Sequence, residues 1–450
     1  MNENLKSFLR IFVPVMLFLA VMSITNCTER FFLAQLSEEA LTGSLNGFFL
    51  ARIFQSATTA VIVGGQTYVS LFHGANQPKQ IGPCIWQLIW FALATALIVP
   101  PIGFFIEHLL YQNTVLAQST GAYFSLLCWF NFLMPLGCAL SSFYLGRGKP
   151  LLVVVLMISM CFLNVAIDYV CIFGWGLIPR MGIMGAALGK VISQGLLCVI
   201  LGAFFLGAKN RHQFDTAKWQ LEPRLFYHYL KPGFLRGVST LPCLGDWSLV
   251  SRTMSLLSEP HMLVFTIGST LYYVFTFIGD ALFQTMMIIG AGHISKKQYT
   301  DIWPSFFNGL KVLGVASLLL GIPFFLFPDS LLLCFKGAPF FGEVPSTLQS
   351  IALWLWIALI GYGMNLLALA LIIASRDAVF LFWFYCSLFL ISFVPVYLTM
   401  EIFHWSSDKF WLLAFCTNMI TFLIFYKRAS KERWTYQEWR PTQAHSEIKE

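Results

Sequence analysis

Residues Ile85–Ile106 read IWQLIWFALATALIVPPIGFFI, 22 positions without one charged side chain. As a helix rising about 1.5 Å per residue, this run crosses a hydrocarbon core about 30 Å thick. A membrane-spanning strand would be roughly half as long and would alternate apolar with polar residues. Nothing alternates here. Inside a bilayer the backbone finds no water, so a run of this kind satisfies its own amides and carbonyls as a helix.

Outward from this run the same character recurs along the chain. Of 450 residues, 58% are hydrophobic and 11% charged, whereas about a quarter of a soluble domain is charged. The bilayer is therefore the solvent. Twelve spans are expected, near 9–34, 44–72, 84–107, 120–145, 151–174, 183–207, 229–257, 261–291, 304–327, 347–375, 378–401 and 408–426. Several exceed the minimum length, which tilt or extension beyond the bilayer accommodates. The longest polar connector, 208–228, separates a six-helix lobe at 1–207 from another at 229–426, and 427–450 form a polar tail. The expected fold class is all-α integral membrane, twelve transmembrane helices in two six-helix lobes.

The lobes share a sparse pattern. Gln66-Thr67 and Gln284-Thr285 are 218 positions apart, as are Pro14 and Pro232, Gly74 and Gly292, and Lys79 and Lys297. Leu36-Ser37-Glu38 and Leu257-Ser258-Glu259 match at an offset of 221. A duplicated bundle with a shared interior can open a central path to either side in turn, so the lobes are expected to be pseudo-symmetric. Pro14 and Pro232 open equivalent spans, and each removes a backbone donor and can bend its helix.

Basic residues set the orientation. They gather at Lys6 and Arg10, Lys79, Arg147 and Lys149, along the 208–231 stretch, at Lys296 and Lys297, at Arg376, and beyond span twelve. The opposite loops hold little more than Arg180, Lys336 and Lys409. By this bias both termini are cytoplasmic. The net charge of +7 belongs to loops facing an anionic leaflet and does not point to nucleic acid. Eleven scattered Cys, with no CxxC and no His at ligand spacing, read as small buried hydrophobes. Gly-X-Ser-X-Gly, a P-loop and HExxH are absent. An enzyme is not expected, nor a cofactor or a bound metal. Without a nucleotide site, pumping is driven by an ion gradient.

Several ionisable residues fall within the spans: Glu29, Arg52, Asp168, Lys190, Asp246, Arg252 and Asp280. Each costs at least a few kcal/mol at mid-bilayer, so each is expected to face a partner or a wet cavity. Asp168 follows Asn164 by four residues, which places both on one face of span five. Together they can hold a proton or a small cation. Alternatively, Asp168 pairs with Lys190 and only ties span five to span six. Lys190 is either a counter-ion or a coupling group. Glu29 is either a working acid or an interfacial residue paired with Arg30 or Arg52. Asp246 either binds a cationic substrate or makes a structural pair. Asp280 has no evident partner, which points to a water-filled cavity. Tyr272, Tyr273, Phe275 and Phe277 either pack or line a cavity for flat organic cations by cation–π attraction.

Four stretches resemble one family. Asn164-Val165-Ala166-Ile167-Asp168-Tyr169, running into Ile172-Phe173-Gly174, is similar to the fifth-span signature of the multidrug and toxic compound extrusion (MATE) family. Gly182-Ile183-Met184-Gly185-Ala186-Ala187, continuing to Val191-Ile192-Ser193-Gln194, is similar to the start of its sixth span. Gly65-Gln66 through Gly74-Ala75-Asn76 resembles the end of its second, and Arg147-Gly148-Lys149-Pro150 the loop before its fifth. The resemblance implies two lobes related by a pseudo-twofold axis along the membrane normal, a V-shaped central cleft, and rocking between them. It also implies export of organic cations and amphipathic compounds in exchange for H⁺ or Na⁺. The family's first-span acid falls on Glu29, its bend-forming proline on Pro14, its fifth-span pair on Asn164 and Asp168, and its seventh-span acid on Asp246. Two positions depart. Lys190 stands where Na⁺-binding members commonly have Thr, and Tyr362 or Asn365 replaces a tenth-span acid found in some members.

The resulting expectation is a bacterial-type secondary active transporter, acting as a monomer in the cell (inner) membrane. It exports organic cations or amphipathic compounds by antiport with H⁺, Na⁺ being disfavoured by the ammonium of Lys190. Asp168, Asn164, Glu29 and Lys190 carry ion coupling, Asp246, Asp280 and Tyr273 contact a small organic substrate, and Pro14 is a hinge. The alternative is a flippase for a lipid or lipid-linked sugar, with Arg52, Lys190 and Arg252 lining a basic cavity.

Overall fold

The computed structural model describes residues 3–431 except 75, 148, 258, 296–297, 327–343, 376, 404 and 406–408. The expected tail therefore lies outside the described residues from 432 onward, and the side chains of Asp246, Pro232 and Arg236 lie outside them as well.

The described residues are almost entirely helical. The first lobe comprises α1 (Glu3–Ala34), α2 (Glu38–Gly74), α3 (Ile81–Tyr111), α4 (Ala117–Trp129), α5 (Leu133–Leu145), α6 (Pro150–Phe173) and α7 (Ile183–Phe205). A short helix, α8 (Ala208–Phe214), leads to the second lobe. That lobe comprises α9 (Pro223–Leu257), α10 (Glu259–Phe275), α11 (Phe277–Ser295), α12 (Ile302–Gly321), α13 (Val344–Ala374), α14 (Ala378–Tyr397) and α15 (Phe410–Ala429). α4 and α5 form one pass, as do α10 and α11, so the lobes have six passes each, as expected.

Local breaks have local causes. Between α4 and α5, Pro135 cannot donate to the carbonyl of Asn131. The chain tightens there, and Met134 N–H donates to Asn131 instead at 3.2 Å. At Thr276 the ladder continues through Thr276 N–H to the Tyr272 carbonyl and Asp280 N–H to the Thr276 carbonyl, each 3.0 Å. π-helical turns close α12 at Ile322–Leu326 and α14 at Leu398–Ile402, the second just beyond Pro395.

Among the described residues, eleven helical segments are long and apolar enough to cross a membrane. α9 is not among them, although its 35 residues exceed the required length. It carries Lys231, Arg236, Asp246 and Arg252 and packs between other helices, so it needs less apolar surface than a lipid-facing span. Large exposed side chains such as Leu97, Phe105, Phe162, Val199 and Leu318 lie on the outer surface, where acyl chains stand in for a core.

The lobes meet through two antiparallel helix pairs. α2 runs along α9, with Gly233 and Gly237 of α9 set against the backbone at Val61 and Ala57 of α2. α1 runs along α10 and α11: the Ser23 hydroxyl donates to the Tyr273 carbonyl at 2.6 Å, and Phe8 and Phe12 are buried against Ile278, Leu282 and Met286. In the duplicated order α1 corresponds to α9 and α2 to α10–α11, so the two pairs are the same contact seen twice. This is the pseudo-symmetry expected from the sequence offsets. One apolar core joins both lobes, holding Leu45 and Phe49 of α2 with Val250, Phe265, Tyr272 and Trp411.

Candidate functional site

The α6–α7 hairpin builds the first part of the site. Its turn needs backbone that side chains resist: Gly174, Gly176 and Gly182 have φ of 80°, 61° and 56°. The turn folds back to satisfy the end of α6, with Met181 N–H on the Cys171 carbonyl at 3.1 Å and Gly182 N–H on the Ile172 carbonyl at 3.2 Å. α7 then lies tight against α6. A Cβ on Gly185 would strike the Cys171 carbonyl, and one on Gly189 would strike the Asp168 carboxylate. In that notch Asp168 is fully buried. Asn164 donates its amide to Asp168 Oδ1 at 3.1 Å, and Asp168 Oδ2 is buried without a hydrogen-bond partner. The face shared by Asn164 and Asp168 is the one their spacing specified.

Glu29 of α1 completes an acid cluster. Its Oε2 lies 2.6 Å from Lys190 Nζ, and its Oε1 accepts from the Tyr123 hydroxyl at 2.7 Å. Lys190 also donates to the Tyr123 oxygen at 2.9 Å. Two alternatives are thereby corrected. The partner of Lys190 is Glu29 and not Asp168, since α7 carries Lys190 one residue past the notch and toward α1. The partner of Glu29 is Lys190 and neither Arg30 nor Arg52. Tyr123 is a site residue that sequence reading missed, because a lone Tyr in an apolar span has the same pattern as a core Phe.

The cluster opens onto the meeting point of the lobes. A small cavity of about 10 Å³, room for about one water, is lined by Asn26, Glu29, Arg30, Ser44, Phe48, Tyr123 and Lys190. Phe48 is surrounded by cations: Arg30 Cζ lies 5.0 Å from its ring centroid, Arg52 Cζ 5.7 Å and Lys190 Nζ 5.3 Å. Tyr273, reaching in from α10, meets Phe48 edge-on at 6.0 Å and carries Arg30 at 5.8 Å and Arg52 at 5.5 Å. The aromatic face that the sequence offers to organic cations is thus engaged by the chain's own guanidinium groups. Tyr272 packs, stacking on Trp411 and Trp247.

The remaining candidates are dispersed. Asp280 accepts the Tyr362 hydroxyl at 2.8 Å, so it has the partner that the sequence did not reveal, and the water-filled cavity expected around it is not needed. Asn365 donates to Asn418 at 3.2 Å. Arg252 donates to the Leu110 carbonyl at 2.6 Å, which fixes it at the end of α3 and away from Phe48. Asp246 lies outside the described side chains. Pro14 sits exposed within an α1 that continues through it.

This fold and this site define a class: multi-pass helical membrane proteins built of two six-helix lobes, with buried charge where the lobes meet. Residues 14–170 match the family model described as MatE. The chain is 23% identical over 277 residues to a probable multidrug resistance protein NorM of Synechocystis sp., covering 58% of each chain. It is 23% identical over 213 residues to one of Bacillus subtilis, covering 46% of this chain and 47% of that one. The chain thus spans about half the length of these curated relatives. Among solved structures, a MOP superfamily transporter from Pyrococcus furiosus Vc1 superposes with a TM-score of 0.74 at 14% identity, over 96% of this chain and 97% of that one. An inward-facing multidrug resistance MATE family transporter gives 0.73 at 14% identity, over 94% and 99%. The partial family match, the multidrug resistance relatives and the fold neighbours all point the same way as the sequence motifs, to a likeness with the MATE family. It is a family of transporters rather than enzymes.

Proposed function

We propose that this protein is a secondary active transporter that exports amphipathic organic compounds across the cell membrane in exchange for protons. One observation carries the reading: two buried carboxyl groups, Glu29 and Asp168, flank α7 beside the junction of the lobes. The unpartnered Oδ2 of Asp168 has room for a proton. A proton on Glu29 removes its charge-assisted contact with Lys190 and frees the ammonium. Arg30, the next residue on α1, touches Tyr273 of the other lobe, and α1 is tied there by Ser23 as well. Protonation in the first lobe therefore acts on the inter-lobe contact through one helix, and a bend at Pro14 gives that helix freedom to move.

The ammonium of Lys190 already occupies the cation position beside Glu29, which favours H⁺ over Na⁺ as the exchanged ion. Orientation rests on the Lys/Arg bias: the termini face the cytoplasm, and the turn between α1 and α2 faces outward. A second reading, a flippase for a lipid or lipid-linked sugar, draws on the guanidinium groups of Arg30 and Arg52. The test is transport in proteoliposomes against a dye panel, with pH and Na⁺ gradients imposed separately. The proposal requires efflux driven by the pH gradient alone. Efflux driven only by Na⁺, or by neither gradient, rejects it.

A further inference from the structure

Arg30 is 7% exposed, and its Nη1 is buried with no hydrogen-bond partner. Among the described residues, neither Arg30 nor Arg52 has a carboxylate within 4.0 Å. The nearby acids whose side chains are described are committed elsewhere. Glu29 is held by Lys190 and Tyr123, Asp168 by Asn164, and Asp280 by Tyr362, although Asp280 also acts on Arg52 through space. The ring of Phe48 gives Arg30 cation–π attraction but accepts none of its N–H groups in the ordinary sense. A guanidinium is a planar fork of five donors that fits an oxyanion two bonds at a time. Leaving such donors buried and unmatched is costly unless an acceptor arrives.

We infer that Arg30 and Arg52, framed by Phe48 and Tyr273, form a binding site for the oxyanion of an amphipathic substrate, a phosphate or carboxylate joined to an apolar or aromatic body. The anion takes the open donors of Arg30 and Arg52, with Lys190 Nζ 5.3 Å from the ring centroid of Phe48. The aromatic body lies against Phe48 and Tyr273, where Trp247 continues the apolar wall 5.9 Å from Tyr273. The site lies where α1, α2 and α10 meet, so a ligand there touches both lobes. This inference rests on the transporter reading for its biological sense, but the binding site stands on its own.

The test uses the purified full chain and three probes alike in size and differing in charge: naphthyl phosphate, naphthol and naphthylmethylammonium. Calorimetric titration is expected to show naphthyl phosphate binding at least about 10-fold tighter than the other two. Arg30→Gln and Arg52→Gln are each expected to weaken the phosphate about 10- to 100-fold, the loss of one charge-assisted contact, while leaving naphthol unchanged. Arg30→Lys should recover part of the loss. If Arg30→Gln does not fold, Arg52→Gln and Arg30→Lys carry the comparison. Equal binding of the three probes, tightest binding of the ammonium, or a phosphate affinity unmoved by the substitutions overturns the inference. In nanodiscs, displacement of naphthyl phosphate by added phosphatidylglycerol assigns the site to a lipid headgroup, and no displacement assigns it to a free organic anion. Anion binding without pH-driven movement in proteoliposomes rejects the antiport reading and keeps the site. Proton-driven export of the ammonium probe alone does the reverse.

Discussion

Gly189 decides whether Asp168 can sit where it does. The carboxylate fills the space that any side chain at Gly189 would need, and the same absence on the previous turn, at Gly185, lets α7 reach α6. Gly189→Ala is therefore expected to push Asp168 off its bond to Asn164 and to abolish gradient-driven transport in proteoliposomes. The protein should still be recovered monodisperse. Unchanged transport would mean that the notch is unimportant. At this scale the sequence is informative over short distances and silent over long ones. Four residues on one helix fix a shared face, so Asn164 and Asp168 were legible. The bond between Lys190 and Glu29 joins helices far apart in the chain, and nothing local marks it. Arg30 and Phe48 were hidden for the same reason, since only the meeting of α1, α2 and α7 brings three cations around one ring.

At the scale of the element, α2 and α9 form the longest junction between the lobes. Near one end the hydroxyl of Ser251 donates to Asn46 Oδ1, and Asn46 Nδ2 lies 3.2 Å from Ser255 Oγ. Near the other end, the Tyr68 hydroxyl donates to the His228 carbonyl at 3.3 Å. Rocking of the lobes must break one set. A cysteine pair at Asn46 and Ser255 is expected to cross-link under mild oxidant and to stop transport, with activity returning on reduction. A cross-linked protein that transports at the normal rate would show that this end never parts. Hydropathy located all twelve passes to within several residues, because apolar runs of span length have few other uses. It did not show that span four breaks at Asn131, where Pro135 cannot donate and the carbonyl takes Met134 N–H instead. The sequence does flag Asp246 and Arg252 within span seven, and the packing of α9 between other helices accounts for how that span carries them.

Across the whole molecule, the account joins a duplicated fold, a basic loop bias and an acid cluster in one lobe. The bias makes a direct prediction of sidedness. In a background free of native cysteines, Asn113→Cys in the turn after α3 should react with an impermeant maleimide on intact cells. Gln80→Cys, in the turn before α3, should react only after permeabilisation, and the opposite pattern would invert the topology. The offsets between the halves were enough to foresee pseudo-symmetry, and the structure realises it as paired contacts of α1 with α10–α11 and of α2 with α9. What the offsets could not convey is the charge of the interior, since Arg30 and Arg52 lie in helices that read as ordinary spans. The central claim is that proton binding at the buried acids drives export. Its most direct test is Asp168→Asn in proteoliposomes under an imposed pH gradient, alongside a thermal unfolding curve. The account predicts a folded protein that still binds substrate and no longer moves it against the gradient. Sustained pH-driven transport by this variant would contradict it.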